Sequence, residues 1–294
     1  MIELDGLPGT TPIGFMATLG LLRVLGEDQG LPVRLSWDQA KPRLHGLADR
    51  EDLLSVLVTH MQGRHNDFEW NWADTAKGVT PENYSLACDE AAHRASSPRR
   101  ALAFLSAWAT DTSVTDDGLV RYTRLDMTSG RQRLIADLRK IAATLETPEE
   151  AEGAFHRALF GGPYEDLSSF GWDPATVRQH AHEPRAPTKV KPAGKSGWIW
   201  LAAESLAWHP VLPRSDRAVT TGCEVLEGQG MSYFWGLWSA SAELGPEEVR
   251  FLRALDFRRL SRRMGVESLW SSTFGKSGNY TMLLPAQRTT GTRR

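Results

Sequence analysis

The tripeptide Gly-Lys-Ser occurs twice in the chain, at Gly194–Ser196 and at Gly275–Ser277. The same tripeptide ends the P-loop, whose backbone N–H groups wrap a nucleotide phosphate. A P-loop also needs a glycine five residues before the glycine of this tripeptide. In this sequence Lys189 and Trp270 occupy the two corresponding positions. Neither copy follows an apolar strand pattern or opens a predicted helix. We therefore predict no ATP site, and we expect both copies to be basic loops suited to a sugar–phosphate backbone.

Signals for metal or covalent chemistry are weak. His180 and His182 form the only close histidine pair, no cysteine lies near them, and no Gly-x-Ser-x-Gly elbow is present. We therefore expect no metal site, no cofactor and no catalytic site. Glu204 is the one carboxylate within a strongly apolar segment. Because an unpaired buried carboxylate is costly, we expect Glu204 to be paired with an arginine or a backbone group.

Arginines are most concentrated in the segment DFRRLSRRMG. On a helix, Phe257, Leu260 and Met264 share one side and the arginines share the other. Like charges at this spacing repel each other, and the guanidinium fork fits phosphate oxygens. A solvated face paired with Glu247 and Glu248 is the alternative. The predicted nucleic-acid contacts of this helix are Arg258, Arg259, Arg262 and Arg263.

Further basic segments could also meet phosphates. TSGRQR predicts a helix start whose free N–H groups favour an anion, although ordinary capping is the alternative. TKVKPAGK predicts a flexible basic loop. Each phosphate that such a loop neutralises on duplex DNA adds about 0.9 to the slope of log affinity against log salt concentration. The predicted contacts in these segments are Arg131, Arg133, Lys189, Lys191 and Lys195, with Lys276 in a hairpin tip as a further candidate.

The elements that must carry these groups mix helices and strands without regular alternation. IGFMATLGLLRVLGE predicts a central helix capped by Thr10 or Thr11, and PVRLSWD, PRLHG and FEWNWA predict strands. YTRLDMTSGRQRLIADL changes from strand period to helical period near Thr128 or Ser129. This mixture favours an α+β fold with short antiparallel sheets and without a doubly wound sheet.

The 294 residues are enough for two ordinary domains. We predict an N-terminal α+β domain (1–182), a basic Pro-rich linker or loop (183–197) and a C-terminal α+β domain (198–294). The two cysteines cannot form a disulfide framework, and no secretory signal or membrane helix is visible, so we expect a cytoplasmic protein. The net charge of -2 neither favours nor excludes nucleic acid, and the 11 tryptophans favour core and interface packing over base stacking.

Several stretches resemble subunits of type I-U/I-G CRISPR cassettes. They are LDGLPGTTPIGFMATLGLLRVL, LDMTSGRQRLIADL, FGWDP and WLAAESLAWHPVLP, in this order. In that family a Gly/Pro loop leads into an apolar helix, and a Thr-x-Gly-(x)-Gln helix start follows later. The matching positions are Gly6, Pro8 and Gly9 in the loop, and Ser129, Gly130, Arg131 and Gln132 at the helix start.

The resemblance implies a non-catalytic subunit, either large-subunit-like or accessory, of an RNA-guided, Cascade-like interference complex in antiviral defence. Its partners would be CRISPR RNA, target DNA, other Cascade subunits and the helicase–nuclease, with no membrane partner. In such complexes base pairing reads the sequence, while protein holds the backbone. Two alternatives remain open at this point. One is an adaptor that binds proteins through exposed tryptophans, and the other is a nuclease or nucleotide-binding enzyme with an unrecognised site.

Overall fold

The structure, a computed structural model, describes residues 1–175, 194–214, 217–260, 265–277 and 280–289. Within these ranges helices alternate irregularly with short antiparallel sheets, which confirms the predicted α+β fold without a doubly wound sheet. The helices are α1 (Pro12–Arg23), α2 (Arg50–Met61), α3 (Pro81–Arg94), α4 (Pro98–Trp108), α5 (Leu134–Thr144), α6 (Pro148–Phe160), α7 (Ser196–Glu204), α8 (Pro246–Ala254) and α9 (Phe257–Leu260).

The described strands belong to four sheets. The first has the order β1-β3-β2, and the second has the order β11-β10-β9-β8 with β12 also paired to β10. The other two sheets are the hairpins β4–β5 and β6–β7. The strands are β1 (Ile2–Glu3), β2 (Arg34–Asp38), β3 (Lys41–His45), β4 (Ala109–Val114), β5 (Val120–Tyr122), β6 (Val211–Arg214), β7 (Arg217–Thr220), β8 (Cys223–Leu226), β9 (Gly230–Trp238), β10 (Val266–Ser277), β11 (Tyr280–Leu283) and β12 (Gln287–Thr289).

Helix α1 is the centre of the core, as its apolar sequence predicts. Thr11 caps the helix by accepting a hydrogen bond from the Gly14 N–H, and all of its residues are buried. It packs on α7, and Gly20 makes this close approach possible, because a Cβ there would lie 1.7 Å from the Leu201 carbonyl oxygen. Beyond Arg23 the chain continues into a π-helical turn, Val24–Asp28, which carries Asp28 of the ion cluster described below.

One hydrophobic core runs through residues on both sides of the predicted linker. It joins α1 and α2 to α7 and to strands of the five-stranded sheet. Most of the predicted linker, 183–197, lies outside the described residues, so the division into two domains stays a prediction. None of the described helices is long and apolar enough to cross a membrane.

Several local predictions were wrong. FEWNWA contains a short 3₁₀ helix, Phe68–Trp70, because the Trp70 ring is buried among the rings of Phe104, Trp108 and Trp200. The helix expected near Thr128 begins only at Leu134. The first Gly-Lys-Ser, thought not to open a helix, opens α7 with its serine.

The 11 tryptophans pack inside the protein, as their number suggested. Nine of them are buried and two are half-buried, Trp72 and Trp270. The exposed tryptophan surface expected for an adaptor is therefore absent from the described residues, which include all of the tryptophans.

Candidate nucleic-acid interface

Four arginines converge on one cleft of ≈ 390 Å³. Its walls are the hairpins β4–β5 and β6–β7 and the edge strand β8. We call it the arginine cleft, and its arginines are Arg121, Arg124, Arg214 and Arg217. Three of these side chains are exposed and Arg121 is half-buried.

Short antiparallel pairing brings the four residues together. In β6–β7 the register places Arg214 directly opposite Arg217, a pairing of like charges that destabilises a hairpin. Thr220, at the end of β7, is buried and accepts a hydrogen bond from the Arg124 backbone N–H at 2.8 Å. This bond fixes the segment after β5 to the end of the second hairpin. The fold therefore holds two arginine pairs from distant parts of the sequence at one site.

Positive charge is in excess among the described residues of this cleft. Among the described residues, no carboxylate forms an ion pair with any of the four arginines, and the Arg121 Nε is buried without a hydrogen-bond partner. Glu224 is the one acidic side chain among the described lining residues, and its carboxylate accepts a hydrogen bond from the Phe257 backbone N–H at 3.3 Å. A cleft lined by charges of one sign concentrates ions of the opposite sign.

A fifth arginine lies behind the wall of the cleft. Arg253 is buried, and its Nε and Nη2 have no hydrogen-bond partner among the described residues. A Cβ on Gly222, in the turn between β7 and β8, would lie 1.7 Å from the Arg253 Nη2. Burial raises the pKa of the Cys223 thiol to about 12, and the charges of Arg253 and Arg124 oppose that rise. Both positive charges thus act on the wall of the arginine cleft.

Sequence reasoning missed the arginine cleft. The available signal was two arginine pairs with a spacing of three, in RYTR and in RSDR. Each pair alone looks like ordinary surface charge, and the two pairs meet only in the folded protein, where the Arg124 backbone N–H donates to Thr220.

The predicted anion site at TSGRQR was misplaced. The helix begins at Leu134, so the N–H groups of the preceding turn are not helix-terminal. At the true start, the Asp137 carboxylate accepts a hydrogen bond from the Arg133 N–H, and a carboxylate there disfavours a second anion. The Arg133 guanidinium donates to the carbonyls of Gly130 and Gln132. Arg131 is exposed on the same turn and stays a predicted contact.

The predicted basic loop is only partly described. Lys189 and Lys191 lie outside the described residues, as do His180 and His182. Lys195 is 5% exposed and its ammonium lies over the ring of Trp198, 4.2 Å from the centroid. The predicted flexible loop is therefore wrong at Lys195, because the start of α7 is packed into the core, and the nucleic-acid contact of Lys195 stays a prediction.

The arginine-rich segment near the C-terminus is also partly described. α9 has the predicted apolar side, with Leu260 buried, and Arg259 is exposed and paired with the Asp256 carboxylate at 3.3 Å. The Arg258 side chain and the whole of Arg262 and Arg263 lie outside the described part of the chain. Lys276 is exposed near the end of β10, in the predicted hairpin with β11.

A second charged group is buried at the side of a cleft of ≈ 540 Å³. Glu204, at the end of α7, is fully buried, which confirms the sequence prediction, and its partners are arginines. Arg100 donates to it at 2.8 and 3.0 Å, and Arg23 donates to both its side chain and its backbone carbonyl. We call this group the ion cluster, and its members are Arg23, Asp28, His60, Glu69, Arg100 and Glu204.

The charged groups of the ion cluster determine one another's protonation states. Burial favours the neutral form of Glu204, but Arg100 and Arg23 outweigh it, so the pKa of this carboxyl lies well below its usual value. Burial lowers the pKa of His60, with the nearby Arg100 acting in the same direction and Glu204 opposing it. The neutral His60 donates from Nε2 to Glu204 at 3.3 Å.

The ion cluster does not have the donor set of a metal centre. Asp28, His60 and Glu204 each offer one ligand atom, and these atoms lie within 4.8 Å of one another. However, Arg23 binds the Asp28 carboxylate with two hydrogen bonds of 2.9 and 3.0 Å, and Arg100 contacts both carboxylates. A cation would have to displace both guanidiniums, so we assign the ion cluster to the stability of the core.

Comparisons with known proteins do not assign the chain to a family: no protein-family model matches it, and no curated protein matches it.

Proposed function

We propose that the protein is a non-catalytic subunit of an RNA-guided CRISPR interference complex. It would hold the backbone of CRISPR RNA or target DNA in the arginine cleft. The observation that carries this proposal is the convergence of Arg121, Arg124, Arg214 and Arg217 without a carboxylate partner among the described residues. The resemblance of four sequence stretches to type I-U/I-G subunits supplies the biological setting.

The chemistry of the cleft fits a polyanion. Arginine binds phosphate oxygens through two parallel N–H donors, and it stays charged at any physiological pH. Guanidiniums on two hairpins can meet successive phosphates of one strand, whereas a single small anion would need fewer of them. Such contacts position a nucleic acid without reading its bases, which fits a complex in which the guide reads the sequence.

A cytoplasmic location and further partners are part of the same proposal. Cys88 and Cys223 are both free thiols, which fits a reducing compartment. Other Cascade subunits and the helicase–nuclease would bind surfaces outside the arginine cleft.

Fluorescence anisotropy with a labelled single-stranded RNA of 20 nucleotides tests the proposal. The arginine-cleft variant carries Arg→Gln at 121, 124, 214 and 217. We expect its affinity to fall about tenfold or more, because four phosphate contacts are lost.

The control variant carries Arg→Gln at four exposed positions elsewhere: 34, 94, 99 and 250. It changes the net charge equally, and three of its arginines already have carboxylate partners. We expect near wild-type affinity for the control. Equal affinities of the wild type and the arginine-cleft variant, or equal losses in both variants, would overturn the proposal.

A further inference from the structure

Another cleft, of ≈ 340 Å³, is walled by aromatic rings and prolines. Trp270 comes from β10, Trp198 from α7, and Tyr164 from the segment after α6. We call it the aromatic cleft, and the prolines that line it are Pro8, Pro174 and Pro285. Neither the ion cluster nor the arginine cleft uses these residues.

Trp270 presents an unstacked ring on a rigid element. It is half-buried, whereas the neighbouring tryptophans Trp235 and Trp198 are buried and paired with other rings. Among the described residues, the Trp270 ring pairs with no other ring. β10 pairs on both sides at this point, with Trp235 in β9 and Arg288 in β12. The indole N–H donates to the Ser268 Oγ at 3.1 Å, which fixes the orientation of the ring.

The opposite wall is held equally firmly. The Tyr164 hydroxyl donates to the Asp173 carboxylate at 3.1 Å, and its ring meets the Trp198 ring edge-on, with centroids 6.0 Å apart. The Trp198 N–H donates to the Ala158 carbonyl at 2.8 Å. The walls therefore need no rearrangement to receive a flat ligand, and such pre-organisation lowers the cost of binding.

Lys195 places a positive charge beside this cleft. Its ammonium lies 4.2 Å from the Trp198 centroid and 5.4 Å from the Tyr164 centroid, against two of the rings that line the cleft. The side chain is 5% exposed, and it forms no hydrogen bond or ion pair with any described residue. Burial lowers the pKa of this ammonium, and Asp173 and Glu165 oppose the shift. A ligand oxygen that reached this ammonium would accept a charge-assisted hydrogen bond.

We propose that the aromatic cleft holds one unstacked nucleobase of a single strand, with Trp270 as the stacking platform and Lys195 as donor to an oxygen of the same nucleotide. This inference rests on the proposed function, since the strand is the one held in the arginine cleft. Both clefts are lined by the same five-stranded sheet, through β8 in the arginine cleft and β10 in the aromatic cleft. Stacking on an aromatic side chain tolerates every base, so we expect little sequence preference.

Two variants and one cross-linking measurement test the inference with the single-stranded RNA used above. Loss of one base–aromatic stack is worth about 1–3 kcal/mol, so Trp270→Leu should weaken binding about 5- to 150-fold. Lys195→Met should also weaken binding. The control is Trp72→Leu, which changes the other half-buried tryptophan and should leave affinity unchanged. The salt dependence of binding should stay as in the wild type for Trp270→Leu, because no phosphate contact is removed.

Cross-linking of the wild-type protein to RNA that contains 4-thiouridine does not depend on the folding of any variant. We expect the linked peptides to contain Trp270, Trp198 or Tyr164. The base site alone would be overturned if RNA binding depends on the arginine cleft but Trp270→Leu binds with wild-type affinity and all cross-links lie outside the aromatic cleft. Absence of RNA binding by the wild type would overturn both this inference and the proposed function.

Discussion

Replacing the carboxylate at the centre of the ion cluster should destabilise the protein strongly. In Glu204→Gln the side chain keeps its shape, but it loses one negative charge and turns an amide N–H₂ toward guanidinium donors. An amide nitrogen at the Oε1 position removes the acceptor of the Arg100 Nη2 and the His60 Nε2, which lie at 2.8 and 3.3 Å. At the Oε2 position it removes the acceptor of the Arg23 Nη2 and the Arg100 Nη1. Removing one partner of a buried ion pair costs about 3–5 kcal/mol, and here buried guanidinium donors lose their charged acceptor.

Urea denaturation at neutral pH measures this cost, with Glu90→Gln as the control. Glu90 pairs with Arg94 on the surface of α3 at 3.3 Å, where an exposed pair contributes about 1 kcal/mol or less. We expect the free energy of unfolding to fall by about 3 kcal/mol or more for Glu204→Gln, which lowers Tm by about 6 °C or more. A loss below about 1 kcal/mol, similar to that of the control, would refute our view that these guanidiniums depend on Glu204.

The remaining stability predictions concern a buried histidine, a helix contact and a helix cap. Burial, with Arg253 acting in the same direction, lowers the pKa of His209 from 6.5 to about 3. Between pH 6.5 and about 3 this histidine is protonated in the unfolded chain and neutral in the folded protein. The free energy of unfolding therefore falls by about 1.4 kcal/mol for each unit by which the pH decreases. His209→Gln should remove that slope in urea denaturation at pH 4–6, and an unchanged slope would contradict the assignment. Gly20→Ala should destabilise the protein by about 1–3 kcal/mol through overpacking. The control Gly153→Ala should be neutral or stabilising, because the nearest atom to the new Cβ belongs to the flexible Arg157 side chain. Equal Tm values for the two variants would contradict this prediction. Thr11→Ala should cost about 1 kcal/mol through the lost cap, and no change in Tm would contradict it.

Elements with strong local signals could be predicted from the sequence. α1 has an uninterrupted apolar pattern and a Thr-Pro start, and both its position and its Thr11 cap are confirmed. The β2–β3 pairing follows from the alternation of PVRLSWD, and the last hairpin follows from two strand patterns around the second Gly-Lys-Ser. FEWNWA failed because the core environment of Trp70 prevails over its period-two pattern.

The site was harder to predict than the fold, because it depends on long-range contacts. The burial and pairing of Glu204 could be inferred from its apolar neighbours, but its partner Arg23 is 181 positions away along the chain. The arginine cleft likewise joins segments separated by more than 90 positions through Thr220. Local arginine density, the signal that selected 257–264, says nothing about which arginines share a cleft.

The salt dependence of RNA binding tests the central claim most directly. For a single strand, each phosphate contact contributes about 0.7 to the slope of log affinity against log salt. We predict that the slope of the arginine-cleft variant is smaller than that of the wild type by about 2.8, for four contacts. The control variant, in which four exposed arginines elsewhere are changed, should keep the wild-type slope. Identical slopes for the wild type and the arginine-cleft variant would contradict the claim that these four arginines lie against a phosphate backbone.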